Sequence, residues 1–326
     1  RLAEPFVIGG QTLRIGASIG LVRSPEDART RVELMRRADL AMYAAKSDGR
    51  ARHAWFDAGM DDRATERAWL QSELPVAIAR DELVLHFQPR VAAGSRRLAS
   101  VEALVRWQHP QRGLIPPMQF VPLAEETGQV EALGRWVLEA ACRQQRQWRD
   151  AGVAVPRIAV NVSALQLASP GFADEVLAML RRHGLQAADL EIELTESLFA
   201  GDPDEVCAQL QPLRDAGVLV ALDDFGTGFS SLSVLHRLPV DVLKIDRSFV
   251  IELGERESAG AVARSIVALA RALGKHVVAE GVETEAQLAQ LMALGCDELQ
   301  GYLFSRPLPA PALAGWLHPA AEAAGD

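Results

Sequence analysis

The stretch VLVALDDF, residues 218–225, is an apolar run that ends on two adjacent aspartates. Its aliphatic and β-branched residues are typical of a strand buried in the middle of a sheet. The carboxylates of Asp223 and Asp224 repel each other unless positive charge lies between them. A pair of solvated loop aspartates is the ordinary explanation of such a pattern, and a metal site is the alternative.

Seven more apolar runs occur along the chain, and amphipathic segments of helical spacing separate them. The eight runs in order are LVLHFQP (83–89), LASVEALVRW (98–107), IAVNVS (158–163), LEIELTE (190–196), VLVALDD (218–224), VLKID (242–246), HVVAE (276–280) and DELQG (297–301). Eight strands alternating with helices over about 250 residues predict an α/β fold of the TIM-type (β/α)8 class, with a doubly wound open sheet as the competitor. The count of eight favours the barrel. The first two strands are joined by a hairpin-like segment, where regular parallel winding is expected to fail.

The first 57 residues have a different pattern. The runs ASIGLV (17–22) and HAWFD (53–57) predict short strands, and Ser24 and Gly49 supply the start and stop signals of a helix between them. These elements predict a small α+β fragment. Because the chain opens at Arg1 directly on strand-like alternation, we expect it to be part of a longer protein.

A polar helical segment follows this fragment. We interpret residues 58–73 as a connecting helix, which Pro75 should end or kink, with a second short helix before Asp81. The predicted organisation is therefore an N-terminal fragment (1–57), a linker helix (58–73) and a barrel (74–326).

Composition narrows the class of protein. The chain has 326 residues, of which 49% are hydrophobic, and a formal net charge of −9, so we expect a globular protein with no DNA partner. Its three cysteines have no CxxC spacing, which argues against a zinc or disulfide framework and favours a reducing cytoplasm. No apolar run approaches the roughly 18 residues of a spanning helix, so we expect no membrane contact by this chain. Whether a longer parent protein is anchored in a membrane stays open.

Polar residues follow the apolar runs. They are Glu102, Asn161, Glu193, Asp223, Asp224, Lys244, Glu280 and Gln300. In a parallel barrel the carboxyl ends of the strands share one rim, where barrel active sites are built. Five carboxylates on one rim repel by about 1 kcal/mol per close pair even in bulk water, so we expect divalent cations among them. Oxygen ligands without histidine or cysteine favour Mg²⁺ or Mn²⁺ over zinc.

Seven short motifs carry a family resemblance. In chain order they are EALVRW, NVS, ELTES, DDFGTGFSSL, KIDRSFV, AEGVET and QGYLFSRPL. Together they resemble the motif series of the EAL-domain phosphodiesterases, which hydrolyse the bacterial second messenger cyclic di-GMP, and the match runs from about Leu74 to Pro309. The N-terminal segment RRADLAMYAAKSDGR is similar to the last third of a GGDEF, or diguanylate cyclase-like, domain. The GGDEF signature itself does not occur in the sequence, so no cyclase activity is implied.

The EAL resemblance implies a two-metal hydrolase that converts cyclic di-GMP to linear pGpG. Its implied metal ligands, two ions per site, are Glu102, Asn161, Glu193, Asp223, Asp224 and Glu280. Asp223 would bridge both metals. The implied catalytic residues are Lys244, Glu280 and Gln300. Lys244 could be only a surface lysine; among carboxylates its pKa would be held high, which suits orienting the attacking water better than deprotonating it.

The resemblance also implies supporting roles. Glu196 would anchor the loop after Asp224, and the fork of Arg106 suits a phosphate oxygen, although a plain salt bridge is the alternative. The remaining implied substrate contacts are Gln88, Leu104, Phe304 and Pro307. Phe304 could equally belong to the core.

Two further expectations concern partners and the rival function. The family implies a homodimer through the loop and helix after Asp224. The rival to an enzyme is a noncatalytic cyclic di-GMP receptor that signals through a partner. Such receptors typically lack ligand residues, whereas every metal position matches here, which favours the enzyme.

Overall fold

The computed structural model of the protein describes residues 6–9, 11–13, 15–153, 155–200, 203–226, 235–251, 253, 259–313 and 316. The chain divides into two compact units, residues 1–74 and 75–326. In the described residues, no helix combines the length and the apolar character needed to cross a membrane. The three cysteines are free thiols.

The first unit contains four short strands and a helix. The strands are β1 (Phe6–Ile8), β2 (Gln11–Leu13), β3 (Ile19–Leu21) and β4 (His53–Trp55), and the helix is α1 (Arg31–Ser47). β1 pairs antiparallel with β2, and β3 pairs parallel with β4. A Cβ on Gly20 would lie 1.9 Å from the Ala38 carbonyl oxygen, so only glycine allows β3 to pack this closely on α1. The predicted strands ASIGLV and HAWFD are both present.

One continuous helix, α2 (Ala58–Ala79), follows β4. It runs through Pro75, so the predicted end at this proline and the separate short helix after it are wrong. Proline fixes φ near the helical value and removes one backbone donor. The rest of the helix tolerates that single loss.

The second unit is a closed eight-stranded barrel. Its strands are β5 (Leu83–Ala92), β6 (Leu98–His109), β8 (Ile158–Asn161), β9 (Leu190–Thr195), β10 (Leu219–Phe225), β11 (Val242–Ile245), β12 (His276–Ala279) and β13 (Glu298–Gln300). They pair in this order, and β5 closes the ring by pairing with both β6 and β13. Both of these pairings are antiparallel and the others are parallel. The predicted TIM-type barrel is therefore confirmed, and the expected departure from parallel winding lies at β5.

Short strands and helices surround this barrel. The strands β7 (Gly113–Ile115) and β14 (Leu308–Pro309) extend β6 and β5. The helices are α3 (Pro117–Glu126), α4 (Val130–Asp150), α5 (Ala164–Leu167), α6 (Phe172–Arg182), α7 (Pro203–Ala216), α8 (Arg247–Ile251), α9 (Ala259–Ala272) and α10 (Glu285–Leu294).

The barrel interior is unusually polar. Along β9 the aliphatic residues alternate with Glu191 and Glu193, and all of them are buried. Because successive side chains of a strand point to opposite faces, this alternation places the apolar residues toward the helices and the two glutamates inside the barrel. Arg90 and Lys244 are buried there as well. Buried charged groups need hydrogen-bond or ion-pair partners inside the protein, and these pairs form the candidate site.

Candidate active site

The predicted rim residues converge at the carboxyl ends of the parallel strands. Asn161 and Gln300 end β8 and β13, Glu193 lies near the end of β9, and Glu280 directly follows β12. Glu102 differs, because it lies in the middle of the long strand β6. Its carboxylate nevertheless reaches the rim, because it accepts a 2.8 Å hydrogen bond from Asn161 at the end of β8.

A bulge in β10 brings two adjacent aspartates to this rim. From Leu222 to Phe225 the strand β10 advances by three positions while β11 advances by only two, from Leu243 to Ile245. Asp224 has φ 54°, a left-handed conformation that aspartate tolerates better than most residues. The Asp223 Oδ1 atom accepts a hydrogen bond of 2.9 Å from the Asp224 backbone N–H. Without the extra residue, two consecutive side chains would point to opposite faces of the strand.

Lys244 lies at the centre of the acidic cluster and is 0% exposed. Its Nζ atom is 2.9 Å from Glu193 Oε2, 3.0 Å from Asp223 Oδ1 and 2.6 Å from Glu280 Oε1. Burial alone would lower the pKa of Lys244, but the surrounding carboxylates raise it well above its usual value. Lys244 therefore keeps its proton and is suited to donating hydrogen bonds, not to accepting a proton.

Arg90, on β5, is a second buried cation that the sequence analysis missed. Its Nε donates to Gln300 Oε1 at 2.8 Å, one terminal nitrogen donates to Glu191 at 2.8 Å, and the other donates to Glu193. Glu102 lies 3.7 Å away. The sequence could have indicated Arg90, because residues two apart in a strand lie on the same face and Arg90 is two residues after the predicted substrate contact Gln88.

Glu102 is held in its ionised form. Asn161 Nδ2 donates to its Oε1 at 2.8 Å, and Gln300 Nε2 donates to its Oε2 at 2.6 Å. Burial alone would raise the pKa of Glu102, but the charges of Lys244 and Arg90 and these two hydrogen bonds lower it to about 2. The Asn161 amide, having donated through nitrogen, is left with its oxygen as an acceptor for a cation.

Other acids of the rim resist ionisation. Burial raises the pKa of Glu193 to about 8 despite its contacts with Arg90 and Lys244, and burial raises the pKa of Glu280 to about 7. Burial and then the neighbouring Asp223 charge raise the pKa of Asp224 as well. Negative charge is crowded here beyond what the buried lysine and arginine neutralise.

Asp246 is another residue that sequence reasoning missed. It directly follows β11, and its carboxyl group hydrogen-bonds Asp224 and raises the pKa of that acid. The run VLKID contained it, but the interpretation stopped at Lys244. Asp246 adds a sixth carboxyl group to the cluster.

The donor set fits a hard divalent cation. It consists of carboxylate and amide oxygens, without histidine or cysteine, which is the preference of Mg²⁺ and Mn²⁺. The buried Oε1 atom of Glu280 accepts no well-directed hydrogen bond from the described residues, although the Lys244 ammonium is close. No three Asp, Glu, His or Cys side chains of the described residues surround a common point as an ion would require. The Lys244 ammonium itself stands among three of the acids.

Glu196 makes the contact that a loop anchor requires. Its Oε2 atom accepts a hydrogen bond of 2.9 Å from the backbone N–H of Gly226, immediately after β10. Gly226 has φ +97°, and a Cβ there would lie 3.0 Å from the Phe249 ring. The end of β9 is thereby tied to the end of β10. Residues 227–234 of the loop, where the predicted dimer contact begins, lie outside the described residues.

Only some of the predicted substrate contacts lie at the cleft beside the rim. Leu104 lines a cleft of about 800 Å³ together with Asn161, Glu193 and Asp224. Gln88 is buried and accepts a hydrogen bond of 3.0 Å from Gln300. Phe304 and Pro307 are partly exposed and, among the described residues, are not part of the lining of that cleft.

Arg106 is half-buried and has no carboxylate partner within the described part of the chain. Its terminal nitrogen donates to the Val105 carbonyl at 2.8 Å, and burial lowers its pKa. Among the described residues, Arg106 therefore does not form the plain salt bridge that was the alternative to phosphate binding. Its remaining N–H groups are available to an anion.

This fold and site agree with comparisons to known proteins. Residues 71–307 match the EAL domain family, and residues 1–52 match the diguanylate cyclase GGDEF domain family. The chain belongs to the EAL-domain family and begins with a partial GGDEF domain. The family generally uses divalent metals.

Relatives with named activities are similar in sequence. The bifunctional diguanylate cyclase/cyclic di-GMP phosphodiesterase MucR of Pseudomonas aeruginosa is 49% identical over 313 residues, which is 96% of this chain and 46% of MucR. The cyclic di-GMP phosphodiesterase PdeR of Escherichia coli K12 is 41% identical over 316 residues, 97% of this chain and 48% of PdeR. The chain thus spans less than half the length of these relatives.

A solved structure resembles the barrel. The MucR phosphodiesterase of Pseudomonas aeruginosa, in complex with cyclic di-GMP, is 51% identical with a TM-score of 0.72, covering 75% of this chain and 99% of that one.

Proposed function

We propose that this chain is a cyclic di-GMP phosphodiesterase that opens one phosphodiester bond of the cyclic dinucleotide to give linear pGpG. The observation that carries the proposal is the convergence of the predicted acids at one rim, where the buried Lys244 ammonium contacts Glu193, Asp223 and Glu280 and where Asn161 donates to Glu102. The named activities of MucR and PdeR support the same substrate class.

The family resemblance assigns the ligand roles. Glu102, Asn161, Glu193 and Asp223 would hold one divalent cation, and Asp223, Asp224 and Glu280 would hold a second. When bound, Mg²⁺ or Mn²⁺ would supply positive charge for the phosphate and polarise the attacking water. Gln300 fixes the Glu102 carboxylate through its 2.6 Å hydrogen bond.

The cations of the protein complete the arrangement. Lys244 stays protonated, so it orients the attacking water by donating to a lone pair. Arg106 directly follows Leu104 and Val105, which line the cleft, and its remaining N–H groups would bind a non-bridging phosphate oxygen. A rim carboxylate rather than Lys244 would accept the proton of the water, and Glu280, whose Oε1 lies 2.6 Å from the Lys244 ammonium, is the acid nearest to it.

Exchange of the cation tests the proposal against the receptor alternative. Ca²⁺ accepts longer bonds and more ligands than Mg²⁺, so it should support cyclic di-GMP binding without hydrolysis. Binding is measured by calorimetry with Ca²⁺, and pGpG is then measured by chromatography after transfer of the same sample to Mg²⁺ or Mn²⁺. Tight binding without product in all three cations, from neutral to alkaline pH, would replace the enzyme by a noncatalytic receptor.

We further propose that the barrel alone carries the activity, because every proposed ligand lies beyond residue 74. A chain that starts near Asp61 should fold and hydrolyse cyclic di-GMP at the rate of the longer chain. Circular dichroism and the product assay check this. Loss of metal or substrate binding in the folded, shorter chain would contradict the proposed boundary.

We propose a homodimer formed through the loop and helix after Asp224, on the strength of the family resemblance. Sedimentation velocity over a range of protein concentrations should give the mass of two chains. A single-chain mass at every concentration, with and without ligand, would contradict it.

A further inference from the structure

Arg90 contacts several residues of the proposed site at once. It is 0% exposed, and it lies on β5, the strand that runs antiparallel to its barrel neighbours. Because of this direction, β5 enters the barrel at the rim, with Gln88, and continues downward to Arg90. Arg90 therefore lies directly beneath the residues proposed to hold the cations.

The guanidinium group connects three separate strands. Its donors bind Gln300 on β13 and both Glu191 and Glu193 on β9, and Glu102 on β6 lies 3.7 Å away. Such a planar fork fixes the relative positions of its acceptors. A lysine at this position would keep the charge but could not reach all three acceptors in these directions.

The contact with Gln300 also decides which way its amide faces. Arg90 donates to Oε1, so Nε2 is the end that donates to Glu102 at 2.6 Å and to Gln88 at 3.0 Å. If the amide were turned over, its oxygen would face the Glu102 carboxylate and two acceptors would oppose each other. Arg90 thereby sets the orientation of Glu102 through Gln300.

Arg90 is itself held from below. Glu191 accepts from it through Oε1, and the Oε2 atom of Glu191 lies 2.9 Å from Nε of Arg157. Burial alone would lower the pKa of Arg90, but the carboxylates of Glu193, Glu191 and Glu102 raise it well above its usual value, so the guanidinium group keeps its charge. The fork is therefore a fixed element of the barrel interior.

We propose that Arg90 is a positioning residue of the phosphodiesterase centre, which orients Glu193 directly and Glu102 through the Gln300 amide. This inference rests on the proposed function. Arg90 does not reach the cleft, so it acts on the substrate only through these groups.

The test uses Arg90→Lys and Arg90→Met in the whole chain, with Arg214→Lys and Arg214→Met as matched controls. Arg214 is a partly exposed arginine that makes a two-point contact with Asp241, away from the rim. Binding of Mn²⁺ alone is measured by calorimetry, kcat and KM are measured for cyclic di-GMP, and thermal unfolding is followed by circular dichroism.

Arg90→Lys should fold, bind Mn²⁺ about 10- to 100-fold more weakly and lose kcat by a similar factor, the usual effect of removing a group that orients a ligand. KM should change less than kcat. Both Arg214 variants should stay within about twofold of the unaltered chain. In a Gln300→Ala background, Arg90→Lys should have a smaller effect, because part of its action passes through that amide.

Two outcomes overturn the proposal. One is unaltered Mn²⁺ affinity and kcat in folded Arg90 variants. The other is failure of both Arg90 variants to fold, which would make the residue structural only. If the unaltered chain does not hydrolyse cyclic di-GMP, the proposed function fails, and the Mn²⁺ titration still decides whether Arg90 orients the acids.

Discussion

The two ends of the barrel both carry buried charges, but they balance them differently. At the amino-terminal ends of the strands, which we call the base, Arg157 lies 2.9 Å from Glu191 and 3.1 Å from Glu298. Glu298 also accepts 2.8 Å and 3.1 Å hydrogen bonds from Ser100 and His276. Each buried acid of the base thus has its cation or donor within the protein.

At the rim, five predicted carboxylates and Asp246 face two buried cations, Lys244 and Arg90. The pKa of Glu298 at the base is lowered to about 2. At the rim the pKa of Glu102 is also lowered to about 2, whereas the pKa values of Glu193 and Glu280 are raised to about 8 and about 7. A surplus of buried negative charge is costly unless another cation binds. The difference teaches that matched charges hold the barrel together, while the unmatched set forms a site for cations.

The largest effect should come from the bridging position of the rim. Asp223→Asn removes a charge that both proposed cations and Lys244 need, so we expect hydrolysis to fall by at least about 10³-fold, or about 4 kcal/mol in transition-state stabilisation. Product formation is measured by chromatography, with Asp215→Asn on the exposed face of α7 as the control. Substantial remaining activity would place the cations elsewhere.

At the base, removing a matched charge should affect stability and not catalysis. Burial alone would raise the Glu298 pKa, but the hydrogen bond from His276, Arg157, Ser100 and Arg90 together lower it from 4.5 to about 2. A lowered pKa stabilises the fold above the unfolded-state pKa, and this contribution is lost as pH falls through the folded value. Glu298→Gln should therefore cost about 2 to 3 kcal/mol in the free energy of unfolding at pH 7.

Urea unfolding measures this difference, which should shrink as pH falls from about 4.5 toward 2. Hydrolysis by the folded Glu298→Gln protein should be close to that of the unaltered chain. A large loss of kcat without loss of stability would erase the distinction between base and rim.

A smaller effect is expected from the loop anchor. Glu196→Gln keeps the side-chain shape and an acceptor for the Gly226 N–H but removes the charge, so kcat should fall by about 10-fold. The Asp223→Asn variant is measured alongside it. Equal residual activity of the two variants would contradict the separation of a cation ligand from an anchor.

The sequence alone was informative wherever spacing carries physical meaning. The eight apolar runs predicted the eight barrel strands, because buried parallel strands are continuous apolar segments. The ends of those runs predicted that Asn161, Glu193, Lys244 and Gln300 share one rim. The prediction failed at Pro75, because whether a helix continues through proline depends on the structure around it and not on local preference.

Only the tertiary structure decided the partners of the charges. Nothing local in the sequence indicates that Arg90 contacts Gln300, which lies 210 positions away, or that Lys244 contacts acids of β9, of β10 and of the residue after β12. The bulge that turns both Asp223 and Asp224 to the rim depends on the register between β10 and β11. The sequence determined which residues lie at each end of the barrel. The closure of the sheet into a barrel decided which charges come into contact, because the distance between two side chains there depends on which strands are neighbours and not on their separation along the chain.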